Sequence, residues 1–399
     1  MKILFLLILF TIIYLIFNLS KSISKNLGKN ILFTIICSVL IIYITLNPEL
    51  CLESALDGSK LFIKSVFVSL FPFLVLINIM LSYNAVNIYS KFFGNILCKP
   101  LRLPKNCSIV LIISIFCGYP LGAKYACDLY EKNLIDFRTC QRLVNIASNP
   151  SPIFVIGAVG TSMLNNSSLG FLLLLSCYLS CFITGIFLPS HTPSPYIKSS
   201  TNNYIYKERN IGNVLKESID NALKSSFSIG GFIVFFSVIS TIVKNNIISD
   251  IVFTKLSMVL GICIETLQSF LLGLLEMTNG CSLISSNNGL TILCKLILIS
   301  FFLSFSGLSI IGQVYSIVYK FKISINNYIK VKLIQGTICS LLTVVLYKID
   351  IIHISSTVFN INIENINFIN HTSLFILCVL ILISPFLITK FNKLFNRIS

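Results

Sequence analysis

Charge is scarce in this chain. Of its 399 residues, 11% are Asp, Glu, Lys or Arg and 55% are hydrophobic, where an ordinary soluble domain carries about 25% charged residues. That shortage excludes a water-soluble globular domain. With a mean hydropathy of +0.89, the chain reads as an all-α, polytopic membrane protein. Acids are scarcer still, at 14 against 30 Lys and Arg, which leaves a formal charge of +16. The bases cluster between apolar runs and form no single stripe. This is the positive-inside pattern, and it excludes a nucleic-acid partner.

Metal-binding and catalytic signatures are missing as well. The three histidines, His191, His353 and His371, fall in loops or at span edges, and the 14 cysteines form no C-x-x-C. Cys177 and Cys181 share a helix face at i, i+4 with no histidine nearby, so they read as small apolar residues, and no metal site is expected. Neither H-E-x-x-H nor G-x-S-x-G occurs, which argues against an intramembrane enzyme. No A-x-A cleavage pattern follows the apolar run 3–19, so that run reads as a retained helix.

Loop charges then give a topology. Lys21, Lys25 and Lys29 mark a cytoplasmic loop, and Glu49, Glu53 and Asp57 an outer one. Residues 61–82 return inward with a kink at Pro72, leading to an interfacial stretch with Lys91, Lys99, Arg102 and Lys105. Lys320, Lys322, Lys330 and Lys332 mark a further cytoplasmic loop. Residues 350–370 read as an outer loop, and 374–389 lead back inside to Lys390, Lys393 and Arg397. Five segments result: 1–60, N-terminal transmembrane helices; 61–189, a first repeat; 190–224, a cytoplasmic linker; 225–348, a second, inverted repeat; and 349–399, an outer loop and last helix.

What the chain does contain is interruption. The run 108–117 is only ten residues long, eight of them apolar, about half of what a crossing helix needs. It breaks at Gly118-Tyr119-Pro120-Leu121-Gly122, with Lys124 just beyond, and a second short helical piece follows. Flanks that both look cytoplasmic predict a re-entrant hairpin. A second break, Asn149-Pro150-Ser151-Pro152, splits "LVNIASNPSPIFVIGAVGTSML". About 157 residues later, "LLGLLEMTNGCSLISS" and "SFFLSFSGLSIIGQVYSIV" repeat the hydropathy and the breaks. Residues 61–82 run inward and 227–243 outward, so the repeat is expected to be inverted. Paired interrupted helices point to a transporter's midplane site, because irregular backbone is tolerated there only where protein or a polar cavity satisfies it.

The candidate binding residues follow from those breaks. Half-helix N-termini near Leu121 and Ser151 present free N–H groups and partial positive charge to an anion. Gly118, Tyr119, Pro120 and Gly122 shape the first break, and Asn149 and Ser151 supply donors at the second. Lys124 would add a full charge, its alternative being to snorkel toward headgroups. Glu276 is placed to bind a coupling cation, to take up a proton or to pair with Lys124, its alternative being a structural pair or a hydrogen bond to the amides of the broken helix. Thr278, Asn279, Ser306, Ser309 and Gln313 are secondary candidates, each also explicable as interhelical glue. Asp128, Glu131, Lys132, Asp136, Arg138 and Arg142 read as a solvated cytoplasmic cap, with Arg138 or Arg142 open to an attractive role for an approaching anion. No cofactor is expected beyond a coupling H+ or Na+, and homo-oligomer formation stays open.

Taken in order, "CGYPLGAK", "VNIASNPSPIFVIGAVG", "GLLEMTNG" and "LSFSGLSIIGQV" resemble the YlbJ-type sporulation integral membrane proteins, also called SpoVV. Those proteins contain nucleoside-recognition Gate domains related to concentrative nucleoside transporters. The resemblance spans roughly residues 61–348, and Cys117-Gly118-Tyr119-Pro120 departs from the Ser-Gly or Phe-Pro expected there. It implies a discontinuous-helix transporter fold. It also implies a role in endospore formation, with dipicolinic acid moved from the mother cell across the outer forespore membrane. A nucleoside or other small metabolite as solute, and a non-transporting scaffold of the sporulation machinery, are the alternatives.

Overall fold

The computed structural model describes residues 25–83, 85–189 and 210–349. The helix expected at 3–19, the outer loop expected at 350–370 and the last helix expected at 374–389 lie outside them. Among the described residues every regular element is helical and no strand occurs. Ser167–Phe187, Ile211–Lys244, Ile292–Phe321 and Ile325–Lys348 are each long and apolar enough to cross a bilayer. Large apolar side chains such as Phe187, Phe227 and Leu341 lie exposed on these helices, as a lipid-facing surface requires.

Helix α1 (Lys25–Leu46) is followed after Asn47 by α2 (Pro48–Leu61), sharply bent from it at 104°. The acidic stretch Glu49, Glu53 and Asp57 is therefore helical, where an outer loop was expected. Pro48 explains the start: a missing N–H matters least in a helix's first turn. A wide π-helical turn, Phe62–Phe67, joins α2 to α3 (Val68–Ser82), which carries Pro72 inside it. α4 (Ala85–Phe92) then leads through Gly94–Cys98 to the first interrupted unit.

That unit contains α5 (Ser108–Cys117), α6 (Leu121–Glu131), α7 (Phe137–Ile146), a π-helical segment Ile153–Met163, and the long α8 (Ser167–Phe187). The linker expected at 190–224 is helical from Ile211 onward: α9 spans Ile211–Lys244. After α10 (Ile247–Leu260) the same order recurs. α11 (Ile264–Leu275) and α12 (Met277–Ser286) form a hairpin. α13 (Ile292–Phe305) and α14 (Gly307–Val318) form a broken helix, and α15 (Ile325–Lys348) is the long closing helix.

Contacts between the two units are reciprocal. α6 packs on α14, and α12 packs on the π-helical segment; α7 meets α15, and α13 meets α8. The two long helices α8 and α15 pack on each other, as do α3 and α9. One continuous apolar core runs from Phe62 to Cys339, with Leu143, Leu173, Leu296 and Phe302 fully buried in it.

Candidate functional site

The first break ends α5 at Gly118, whose φ of +78° suits a residue without Cβ. α6 begins after Pro120, which needs no N–H at a helix start. The second break follows α7 because Pro150 and Pro152 donate no ladder bond and push the preceding residues out of the helical region. These two breaks touch. Tyr119 N–H donates to Asn149 O at 2.8 Å. An added Cβ on Gly118 would stand 2.7 Å from Ser151 N, and one on Gly122 only 1.7 Å from Ala147 O. The tight Gly-Tyr-Pro turn and the Asn-Pro-Ser-Pro segment, both read from the sequence, are thus in physical contact.

The third break is a single residue. Glu276 is extended (φ −137°, ψ 113°), and its carboxylate accepts N–H bonds from Thr278 and Asn279 at 3.0 and 2.7 Å. It caps α12, with its negative charge at the positive end of the helix. The fourth break places Ser306 and Gly307 in left-handed conformations. A Cβ on Gly307 would lie 3.2 Å from Met277 N, so breaks three and four also meet. Tyr119 OH against Met277 Sδ, at 2.6 Å, links the first-half breaks to the second-half ones.

Where they meet, a cavity of about 520 Å³ opens, inside the range of roughly 300–1,000 Å³ common for small-molecule sites. Phe73, Phe116, Phe154, Ile229, Ile233 and Ile310 give it apolar walls. Its polar groups are Tyr119, Ser151, Ser162, Glu276, Thr278, Ser309, Gln313 and Lys64. Aromatic walls with a few placed polar groups and one cation suit a small, flat solute bearing acid or amide substituents.

The sequence candidates divide accordingly. Tyr119, Ser151, Glu276, Thr278, Ser309 and Gln313 line the cavity. Gly118, Pro120, Gly122 and Asn149 shape the breaks behind its wall, and Ser306 is fully buried with its hydroxyl unpartnered. Asn279 contributes its backbone N–H to Glu276. Lys124 does not line the cavity. Its ammonium donates to Ser225 Oγ of α9 at 2.6 Å and lies 5.4 Å from the Tyr125 ring centroid. Among the described residues the one ion pair is Lys60 with Asp57, so Glu276 and Lys124 are not paired.

Two basic residues, Lys332 and Arg142, sit otherwise than the sequence suggested, and a third, Lys64, was not singled out there. Lys64 is the cation on the cavity wall. A lone lysine within "LFIKSVFVSLFPF" was the signal that could have found it, since an intramembrane charge is a functional candidate by default. Lys332, expected in a cytoplasmic loop, is fully buried in α15. Its ammonium donates to Ser148 O in the second break and to Gln335 Oε1 at 2.8 Å. Gln335 Nε2 in turn donates to Asn149 Oδ1 at 3.1 Å, and Tyr328 OH bonds Ser148 Oγ at 2.6 Å.

Arg142, expected in a solvated cap, is also buried. It donates to Arg102 O at 2.9 Å and Gly185 O at 2.8 Å. Carbonyls of two other segments hold it in place. Asp136 in the same stretch caps α7 by accepting from Thr139 N–H at 3.1 Å. No group of three or more potential metal-ligating side chains occurs among the described residues.

Compared with known proteins, the chain is 27% identical over 322 residues to the sporulation integral membrane protein YlbJ of Bacillus subtilis (strain 168). The aligned region covers 76% of this chain and 79% of that protein. No family model matches the chain, and no solved structure does either.

Proposed function

We propose that this chain, which belongs to the YlbJ-type sporulation integral membrane proteins, is a solute transporter whose site is the cavity between its four helix breaks. One observation carries the reading: the breaks meet at a single cavity with aromatic walls, a cation and hydrogen-bonding groups. A scaffold needs no such meeting of irregular backbone, because each unwound turn in a membrane must have its polar groups satisfied individually.

The repeated element order and the reciprocal contacts of α6 with α14 and of α12 with the π-helical segment support two inverted, Gate-like repeats. On this reading the repeats are arranged as the resemblance to proteins related to concentrative nucleoside transporters implies. Transport then works by movement of one repeat against the other about the fixed site.

The solute that fits best is dipicolinic acid, moved across the outer forespore membrane for spore maturation. It is flat and aromatic, matching Phe73, Phe116 and Phe154, and carries two carboxylates. The cavity's own cation, Lys64, binds one carboxylate. Ser151 and Thr278, each beside the start of a half-helix, bind the other. Glu276 carries the coupling proton. It is the one carboxyl group among the described residues that line the cavity, and intramembrane carboxyl groups mark proton and ion pathways. Gln313 and Thr278 favour a neutral nucleoside as the second reading, since an amide and a hydroxyl read base or ribose edges without charge.

Spore dipicolinate content tests the proposal. A deletion strain should make spores poor in dipicolinate, with the wild-type gene restoring the content and Lys64→Ala restoring it only in part. Normal content in the deletion strain would remove dipicolinate as the solute. Uptake of a radiolabelled nucleoside into proteoliposomes would then decide for the second reading.

A further inference from the structure

The unwound stretch between Ile146 and Ile153 exposes carbonyls that no helical N–H reaches. Ser148 O is one of them, and it lies just past the C-terminal, negative end of α7. In discontinuous-helix transporters such carbonyls and half-helix C-terminal ends coordinate a coupling cation. Here a side chain of the protein itself fills the position. The Lys332 ammonium, fully buried, sits on Ser148 O and Gln335 Oε1 and lies 5.9 Å from the Tyr328 ring centroid. No carboxylate pairs with it among the described residues, so its partners are the neutral oxygens that would bind an alkali ion.

We propose that Lys332 is a tethered cation that takes the coordination position of a coupling ion on the second break, which makes the protein independent of Na+ and K+. It is a positioning residue: it acts through Ser148, Gln335 and Asn149 on Tyr119, and thereby on the cavity wall. The inference about transport rests on the transporter reading above, whereas the inference about the occupied site does not.

Thermal unfolding of the purified full chain in detergent tests the site itself. The wild-type midpoint should be the same in NaCl, KCl and choline chloride; a Na+- or K+-specific rise would overturn the proposal. Lys332→Ala should melt lower in choline chloride and recover in ammonium or methylammonium chloride, but not in tetramethylammonium chloride, which has no N–H to donate. A midpoint equal to wild type, or a loss that no small cation reverses, would contradict the assignment.

Should the alanine variant fail to fold, Lys332→Met keeps the volume without the charge. Reconstituted in proteoliposomes, it should take up radiolabelled dipicolinate about tenfold more slowly than wild type, the scale of a lost charged hydrogen bond. Uptake and melting equal to wild type would sink the proposal. If wild-type proteoliposomes take up no dipicolinate, the solute assignment falls and the melting experiments still decide the role of Lys332.

Discussion

In the first half the irregular backbone leans on a helix from the other end of the chain. Ser148 and Asn149 are bonded by Lys332, Gln335 and Tyr328 of α15, and Asn149 O in turn receives Tyr119 N–H. In the second half a single local carboxylate fills the equivalent role. Glu276 caps α12 with two bonds, and Ser306 is left with an unpartnered buried hydroxyl. Both halves place the same elements in the same order, with Tyr119 and Glu276, and likewise Asn149 and Ser306, at the same separation. A polar network satisfied on all sides fixes one geometry, whereas a lightly held one opens at lower cost. The difference makes the first half the more firmly anchored wall of the cavity and the second half the more lightly held one.

The largest effect expected is at the anchored wall. Gly122→Ala puts a methyl where Ala147 O now is, so the α5–α6 hairpin must part from the second break. The loss should be about 3 kcal/mol, at the upper end for overpacking. Detergent melting will read it, with Gly157→Ala as a neutral control because nothing lies within 4 Å of that position.

Next in size, Glu276→Ala removes the cap on α12 and should lower stability by about 1–2 kcal/mol. Glu276→Gln keeps the shape and one acceptor while fixing the neutral state. It should retain exchange of dipicolinate between proteoliposome compartments and lose proton-driven accumulation. Equal loss of both activities in the glutamine variant would take the proton role away from Glu276.

Smaller again, Lys64→Ala should leave melting unchanged, because the side chain is exposed at the cavity wall. It should raise the KM for dipicolinate about tenfold, the scale of a charge-assisted contact. Lys124→Ala should do least. It gives up one bond to Ser225, at about 1 kcal/mol or less, with uptake within about twofold of wild type on that scale.

Breaks and short helices were legible in the sequence because their causes are local. Proline and glycine act on the residues beside them, and α5, Ser108–Cys117, ends where Gly118 ends it. Six cavity-lining groups were legible for the same reason: each lies within or a few residues beyond a break.

Lys332 was not, because its partner Ser148 is 184 residues away and loop-charge counting treats every lysine near a span as solvated. Arg142 was misplaced likewise, with carbonyl partners 40 and 43 residues distant. The helical character of Glu49 to Asp57 was masked by its charge, which reads as a loop although Pro48 opens a helix there. Lys124 drew attention by standing next to a break. Which way a helix turns its side chain depends on α9, which sequence spacing does not place.

Site-directed thiol labelling tests the convergence of the four breaks most directly. Cysteines introduced one at a time at Ser151, Thr278 and Ser309, in a background with all 14 native cysteines replaced by serine or alanine, should be shielded from a small maleimide by dipicolinate in a saturable way and at one shared half-protecting concentration. A cysteine at Lys124 should label at the same rate with or without it. Shielding at one of the three cavity positions without the others, or at none, would contradict a common site formed by both halves.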